Sequence, residues 1–314
     1  MTARIRNIVV GASHVDEPDP AVAAAAGIAR HLGATLHVVN AYDLPSPIQE
    51  AYARELFLDQ RVLDRYGEDL RARLEARTRT DAPGAEVVCH AVEGSAAECL
   101  ADVAREVPAE LVVVGASRGS RIWQHFLGTT AEGVVRAAPA PVLVLRRPLE
   151  PSVHRVLLTT DLSEGSAAVH RQAVSIVRAL FGEPELRCLL TVQLDTMPFD
   201  FRREMVERLA SRELRSFLDG AGLEGTPPEP RVRVGAPTDE ILAEAAEWQA
   251  DLVAVGTHGR RGTRRFLLGS VAGATLRGAA CNVLVVPLGR DAARAREESA
   301  GPGKAAVLQG AGAG

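Results

Sequence analysis

The sequence predicts an α/β protein built from two copies of one doubly wound domain, each a parallel β-sheet with helices on both faces. Three observations carry this reading. The segment LVVVGASRGSRIWQHFLGTTAEGVVRAAPAPVLVLRRP, from Leu111, aligns without a gap on LVAVGTHGRRGTRRFLLGSVAGATLRGAACNVLVVPLG, from Leu252. Gly115 falls on Gly256, Gly128 on Gly269 and Thr129 on Ser270, at a period far longer than that of a solenoid repeat, so a whole domain is duplicated. Within each half, strand-like and helix-like segments alternate, and the strands are apolar runs of the fully buried kind.

The first half supplies strands at Asn7–Val10, Thr35–Val39, Glu86–His90, Leu111–Val114 and Val142–Leu145. Asp19-Pro20 starts its first helix, with Pro20 where a missing N–H costs little. Ser95 and Glu98 form a capping box for a later one. Pro148 and Pro151 interrupt regular structure within Arg146–His154, which reads as the linker. The second half begins with the strand Arg155–Thr160. Ser163 is the expected N-cap of the next helix, in which Val169, Ala173, Val177 and Leu180 recur at helical spacing. Leu186–Val192 is a strand, Phe201–Leu218 a charged helix and Arg231–Val234 a short strand. A turn at Gly235-Ala236-Pro237 leads into a helix through Trp248, capped by Thr238 or Asp239. Asp251–Val255 and Val283–Val286 complete the strands. The expected division is residues 1–147, residues 153–288 and a disordered tail, 289–314, rich in Ala, Gly and Glu.

Composition narrows the function classes. A chain of 314 residues with 46% hydrophobic residues can fill two cores. Its formal net charge of −4 gives no basic field for nucleic acid. Lys304 is the single lysine. Cys89, Cys99, Cys188 and Cys281 show no zinc-like spacing and read as buried free thiols of a reducing compartment. The N-terminus MTARIRNIVV lacks the pattern of a secretory signal, and no apolar run is long enough to span a bilayer. A cytoplasmic location, with no membrane partner, is the expectation.

The chemistry concentrates in VAVGTHGRRGTRRFLLGSVA, from Val253, which reads as strand, glycine loop, helix. Gly256, two residues, Gly259, nine residues, then Gly269-Ser270 define it. Glycines let the main chain approach a ligand closely. Amides at a helix start point at an anion, and the helix dipole favours negative charge there. Gly269, Ser270 and Val271 would supply such N–H groups. In a doubly wound sheet the ligand belongs at the carboxyl ends of the strands, where strand order reverses, so Asp161 should face the same crevice. The motif is neither a P-loop, since no G-K-[ST] follows, nor the dinucleotide G-x-G-x-x-G. On spacing alone, a tight connection with no ligand fits equally well.

The second half resembles the universal stress protein family along nearly its whole length. TTDLSEGS, from Thr159 to Ser166, is similar to the family's first strand end. VGAPTDEILAEAAEWQADLVAVGTHGRRG, from Val234, is similar to its central block, and LLGSVAGATLRGAACNVLVV, from Leu267, to its final helix and strand. The resemblance implies a Rossmann-like sheet of five parallel strands in order 3-2-1-4-5 in each half. It implies that the last strands of the halves, Val142–Leu145 and Val283–Val286, pair about a pseudo-twofold axis within the chain, and it leaves room for a homodimer. It also implies ATP, with Mg²⁺ alongside, as ligand. Its binding residues would be Thr159, Asp161, Val192, Val255, Gly256, His258, Gly259, Gly269, Ser270 and Val271. Asp161 and Val192 would contact the nucleoside, Val255 would line the adenine side, and Val271 would offer backbone to the phosphates. No catalytic residue and no protein metal ligand is implied.

The first half departs from this pattern. Arg118 stands where the motif has its second glycine, and Ser13 stands where the second half has Asp161. Other residues have plain readings beside the functional ones. His258 suits a loop or ribose contact better than catalysis. Arg260, Arg261, Arg264 and Arg265 are a solvated loop surface or an attraction for a triphosphate. Asp161 could cap the turn after it, and Trp123 and Trp248 suit packing. The function expected is ATP-dependent regulation through an unknown protein partner. The alternatives are a slow ATP hydrolase and a nucleotide-free interaction protein.

Overall fold

The computed structural model describes residues 3–43, 60–116, 128–149, 153–163, 165–193, 203–257 and 268–288. In chain order the first half holds β1 (Asn7–Gly11), α1 (Pro20–Leu32), β2 (Thr35–Tyr42), α2 (Gln60–Asp81), β3 (Glu86–Glu93), α3 (Ala96–Glu106), β4 (Leu111–Gly115), α4 (Thr129–Ala137) and β5 (Val142–Leu145). The second holds β6 (Arg155–Thr160), α5 (Ser166–Phe181), β7 (Glu185–Val192), α6 (Arg203–Gly220), β8 (Glu229–Val234), α7 (Pro237–Glu247), β9 (Leu252–Gly256), α8 (Ser270–Gly278) and β10 (Asn282–Val286).

Each half has the predicted parallel order, but the two sheets are one. The ten strands run β3-β2-β1-β4-β5-β10-β9-β6-β7-β8. The single antiparallel joint, β5 with β10, pairs Val144 with Val283, Leu143 with Leu284 and Val142 with Val285. Leu143 and Leu284 are equivalent in the repeat, and each faces the other. The pseudo-twofold axis therefore passes between them, and the joint is self-complementary as a true dimer interface is. Pairing satisfies the N–H and C=O groups that two exposed edges would leave open.

Alternation along the strands divides the core. Ile8 and Val10 face the layer of α1, α2, α5 and α6, while Val9, Val112 and Val114 face α3, α4, α7 and α8. Both layers cross the axis: Ala25 of α1 and Val177 of α5 share one cluster, and Val135 of α4 and Leu276 of α8 the other. The four cysteines are buried free thiols. Among the described residues, no helix is long and apolar enough to cross a membrane.

Several helix starts follow the sequence and two do not. Asp19 caps α1, its Oδ1 accepting from the Ala21 amide, and Gly33 closes that helix at φ 61°, a left-handed value that suits glycine. Ser95 Oγ accepts from the Glu98 amide at 3.4 Å and donates to its carboxylate at 3.0 Å. Ser163, however, is not the N-cap of α5; Gly165 is, and no side chain caps it. The Asp161 carboxylate takes the Ser166 hydroxyl instead. Nor do Thr238 and Asp239 cap α7, which starts at Pro237 with Ala236 before it. A proline at the first helical position leaves one fewer amide to satisfy. The start of the linker, Arg146–Leu149, lies against the second half. The amides of Arg146 and Arg147 both donate to Asn282 Oδ1, at 2.9 and 3.1 Å.

Candidate functional site

The carboxyl ends of β6, β7 and β9 form one rim, with β6 between the other two. The chain order reverses between β6 and β9, which is where doubly wound sheets open a crevice. Thr159 closes this gap from below, its Oγ1 donating to Ala254 O at 3.2 Å. Asp161 follows at the tip of β6. Its Oδ1 accepts from the Ser163 amide at 3.0 Å and from the Ser166 hydroxyl at 2.8 Å. The capping role open to Asp161 is thus real. Leu162, next to it, sits at φ 56°, a left-handed conformation costly for a side chain of this size. Thr160 Oγ1 holds it by accepting the Leu162 amide at 3.1 Å. Val192 ends β7, where its carbonyl accepts from Gly235.

Val255 and Gly256 end β9, and the chain re-enters the rim at α8. Gly269 is the N-cap, with no side-chain cap. Its own amide donates to Thr257 O at 2.8 Å, which ties the helix start to the end of β9. That amide is therefore occupied, contrary to its expected role as a phosphate donor. The first intrahelical bond runs from Gly273 N–H to Gly269 O, so the amides of Ser270, Val271 and Ala272 precede the helical ladder. Ala272 belongs with these donors, and helix geometry rather than any motif letter assigns it. His258 and Gly259 lie outside the described residues, as do Arg118, Trp123 and the loop arginines.

A buried histidine lies beneath the rim and invites a catalytic reading that its bonding excludes. His170 Nδ1 lies 2.8 Å from Ser166 O, and a carbonyl only accepts, so Nδ1 carries the proton. Burial holds the ring neutral, below its ordinary range. Nε2 then accepts from the Cys188 thiol at 3.4 Å. Burial pushes that thiol up to about 12, so it is no thiolate and no nucleophile. Among the described residues, no group of three or more His, Cys, Asp or Glu could hold a metal ion.

The first half repeats the backbone and changes the side chains. The Gly128 amide donates to Ala116 O at 2.6 Å, as Gly269 does to Thr257. Ile8 pairs with Leu111 and Val156 with Leu252, which puts Ser13 level with Asp161. The Ser13 amide donates to Asp19 Oδ2 at 2.9 Å, so the carboxylate here arrives from the helix cap, six residues on. The sequence reading missed a third difference. Asn7 pairs with Thr35 and Arg155 with Glu185, so Tyr42 occupies the register position of Val192. Its ring packs edge-on against Tyr66 of α2 at 5.5 Å. Counting along the paired strands would have found it.

Comparison with known proteins agrees with this architecture. The profile described as the universal stress protein family matches residues 4–146 and again 152–287. The chain belongs to the universal stress protein family. A family member from Thermus aquaticus is 30% identical over 141 residues, covering 45% of this chain and 98% of its own. The crystal structure of a family protein from Pseudomonas aeruginosa covers 94% of this chain and 98% of its own, at 18% identity and a TM-score of 0.62, so the tandem arrangement has a solved counterpart. A universal stress protein solved in complex with cAMP matches 46% of this chain at 24% identity and a TM-score of 0.32.

Proposed function

We propose that the second half binds an adenine nucleotide, ATP with Mg²⁺ supplied alongside, and that the chain regulates a protein partner according to occupancy. One observation carries this most: α8 begins at the crevice with no side-chain cap, its first amides preceding the helical ladder. Helix starts of this kind are ready anion sites. The sequence adds Gly256, Gly259, Gly269 and Ser270 at the family's spacing, with Asp161 on the neighbouring strand end for the nucleoside. Val192 and Val255 supply apolar lining, whereas the first half has Tyr42 at the place of Val192. Together with Ser13 and Arg118, that makes the second half the principal site. The residues assigned to binding are Thr159, Asp161, Val192, Val255, Gly256, His258, Gly259, Ser270 and Val271, with Ala272 added through its amide and Gly269 anchoring the helix start.

Calorimetry with ATP and Mg²⁺ on the intact chain, Gly259→Arg and Arg118→Gly tests the assignment. Charged hydrogen bonds are worth about 1.5–3 kcal/mol each, so Gly259→Arg should weaken binding at least about tenfold. Arg118→Gly should leave the strong site unchanged. Equal affinity and stoichiometry in folded Gly259→Arg would refute a site in the second half. Multiple-turnover phosphate release would favour the hydrolase alternative, and absence of binding at millimolar ATP the nucleotide-free one.

A further inference from the structure

The core of the second half holds a polar contact where the first half is apolar. His170 of α5 and Cys188 of β7 are both fully buried. Ala21-Val22 and Ala25-Ala26 of α1 fall on Val169-His170 and Ala173-Val174 of α5, and all of these are buried. Val22 is therefore the counterpart of His170, and Pro18, four residues earlier, that of Ser166. Asn7 pairs with Thr35 and Arg155 with Glu185, so Val38 is the counterpart of Cys188. Two valines fill such a place with no hydrogen bond to satisfy, whereas a histidine and a thiol must find partners. Their partners lead to the rim.

The Cys188 thiol donates to His170 Nε2 at 3.4 Å, and His170 Nδ1–H donates to Ser166 O at 2.8 Å. The ring also packs edge-on against Phe217 of α6 at 5.3 Å, so it is held on three sides. Ser166 opens α5, whose start has no side-chain cap. Helix ends fray, and the bond from the His170 ring to the carbonyl one turn back ties this end to the core. The Ser166 hydroxyl donates to Asp161 Oδ1 at 2.8 Å. With its proton so engaged, it accepts from the Ser163 hydroxyl at 3.0 Å. The Asp161 carboxylate is thus fixed through one oxygen by two donors, the Ser166 hydroxyl and the Ser163 amide. Ser13, Pro18, Val22 and Val38 give the first half no such route.

We propose that Ser166 and His170 are positioning residues, which hold the Asp161 carboxylate in the orientation that receives the nucleoside. The assignment rests on the nucleotide site proposed above, with Asp161 at the nucleoside and the α8 amides at the phosphates. Neither residue touches the ligand. Ser166 acts by its direct hydrogen bond to Asp161, and His170 acts through Ser166, by holding the turn that carries it. The division of the site gives this role a signature. A carboxylate freed to rotate weakens the nucleoside end alone, so ATP binding falls while binding of bare tripolyphosphate at α8 does not.

Calorimetry on the full chain measures affinity for ATP and for tripolyphosphate, each with Mg²⁺. The variants are Ser166→Ala, His170→Val, His170→Gln and Asp161→Asn, with the first two also placed in the Asp161→Asn background. His170→Val installs the first half's residue, and His170→Gln keeps an N–H that can reach the Ser166 carbonyl. Ser166→Ala removes one oxygen at a helix end and keeps the test open where His170→Val does not fold. Ser166→Ala and His170→Val should each weaken ATP about fivefold and leave tripolyphosphate unchanged. His170→Gln should bind ATP as the full chain does, and both losses should vanish in the Asp161→Asn background. ATP affinity unchanged in Ser166→Ala and His170→Val, with Asp161→Asn weakened, would overturn the positioning role and leave the nucleotide site standing. Losses that persist in the Asp161→Asn background, or that extend equally to tripolyphosphate, would overturn it as well. A full chain that binds no ATP removes the site itself, and the positioning role with it.

Discussion

His37, His90 and His170 are all held below the ordinary histidine range, burial being the largest cause for each. His37 and His90 also share a hydrogen bond, Nδ1 to Nε2 at 3.1 Å, which a proton on both rings would break. A folded value below the unfolded one, near 6.5, means that the unfolded chain takes up protons first as pH falls. Their contribution is complete above that value and is lost on acidification. For each ring the loss is at most about 1.4 kcal/mol per pH unit. Urea midpoints at pH 7.5 and 5.5 should therefore drop in that order; an unchanged midpoint would contradict the burial argument. Glu244 is the second residue-scale case. Burial pushes its carboxyl up, but hydrogen bonds from Arg233 and Arg187 and the charge of Arg231 bring it below the usual range. Arg187 and Arg233 reach it at 2.8 and 2.7 Å, and Arg187 also stacks on Trp248 at 4.3 Å. Arg187 keeps Glu229 and Arg233 keeps Glu240 and Glu247, so Glu244→Ala should cost about 1–3 kcal/mol in denaturant unfolding. Glu244 itself is not among the residues assigned to binding, so nucleotide affinity should persist in the folded fraction.

At the scale of elements, β5 and β10 bear the largest consequence. Each is a short apolar strand, fit for the middle of a sheet and hazardous at an edge. β10 is paired on both sides, with β5 and with β9, so its backbone groups serve two ladders. Leu284→Pro removes a donor and should destabilise the chain by about 3 kcal/mol or more, read from its thermal midpoint and soluble yield. A normal midpoint would mean that the joint contributes little. α8 shows the opposite economy. Its start is tied by one bond from Gly269 to Thr257, while the Arg146 guanidinium caps its far end, donating to Leu276 O at 2.8 Å and Arg277 O at 3.2 Å. A cation at the carboxyl end complements the helix dipole, so the linker steadies the helix assigned to phosphate.

For the whole molecule, the shared sheet and the two clusters crossing the axis make the halves one cooperative unit. Denaturant unfolding followed by far-ultraviolet dichroism and by tryptophan fluorescence should give coincident curves. The β5–β10 joint is self-complementary, so residues 150–314 expressed alone should replace the lost β5 with a second β10. Light scattering should then find a dimer or larger species; a stable monomer would show that the edge can stand exposed.

The sequence by itself determined the duplication, the strands with their parallel direction, and the place of the glycine motif at a strand end. These depend on local periodicity and on rules that act over one strand–helix unit. Asp19 and Ser95 could be read as caps because a cap is decided within four residues. Ser163 could not, because its hydroxyl meets the Ser166 hydroxyl instead of a backbone amide and its own amide is held by Asp161 from the strand end. The pairing of the two last strands came through family resemblance, and its register about Leu143 and Leu284 came only from the structure. Tertiary structure alone placed Tyr42 at the register position of Val192, set Glu244 among three arginines, and occupied the Gly269 amide. Each of these depends on which distant groups meet in space, and hydrogen-bond satisfaction and burial of charge are settled only once they do.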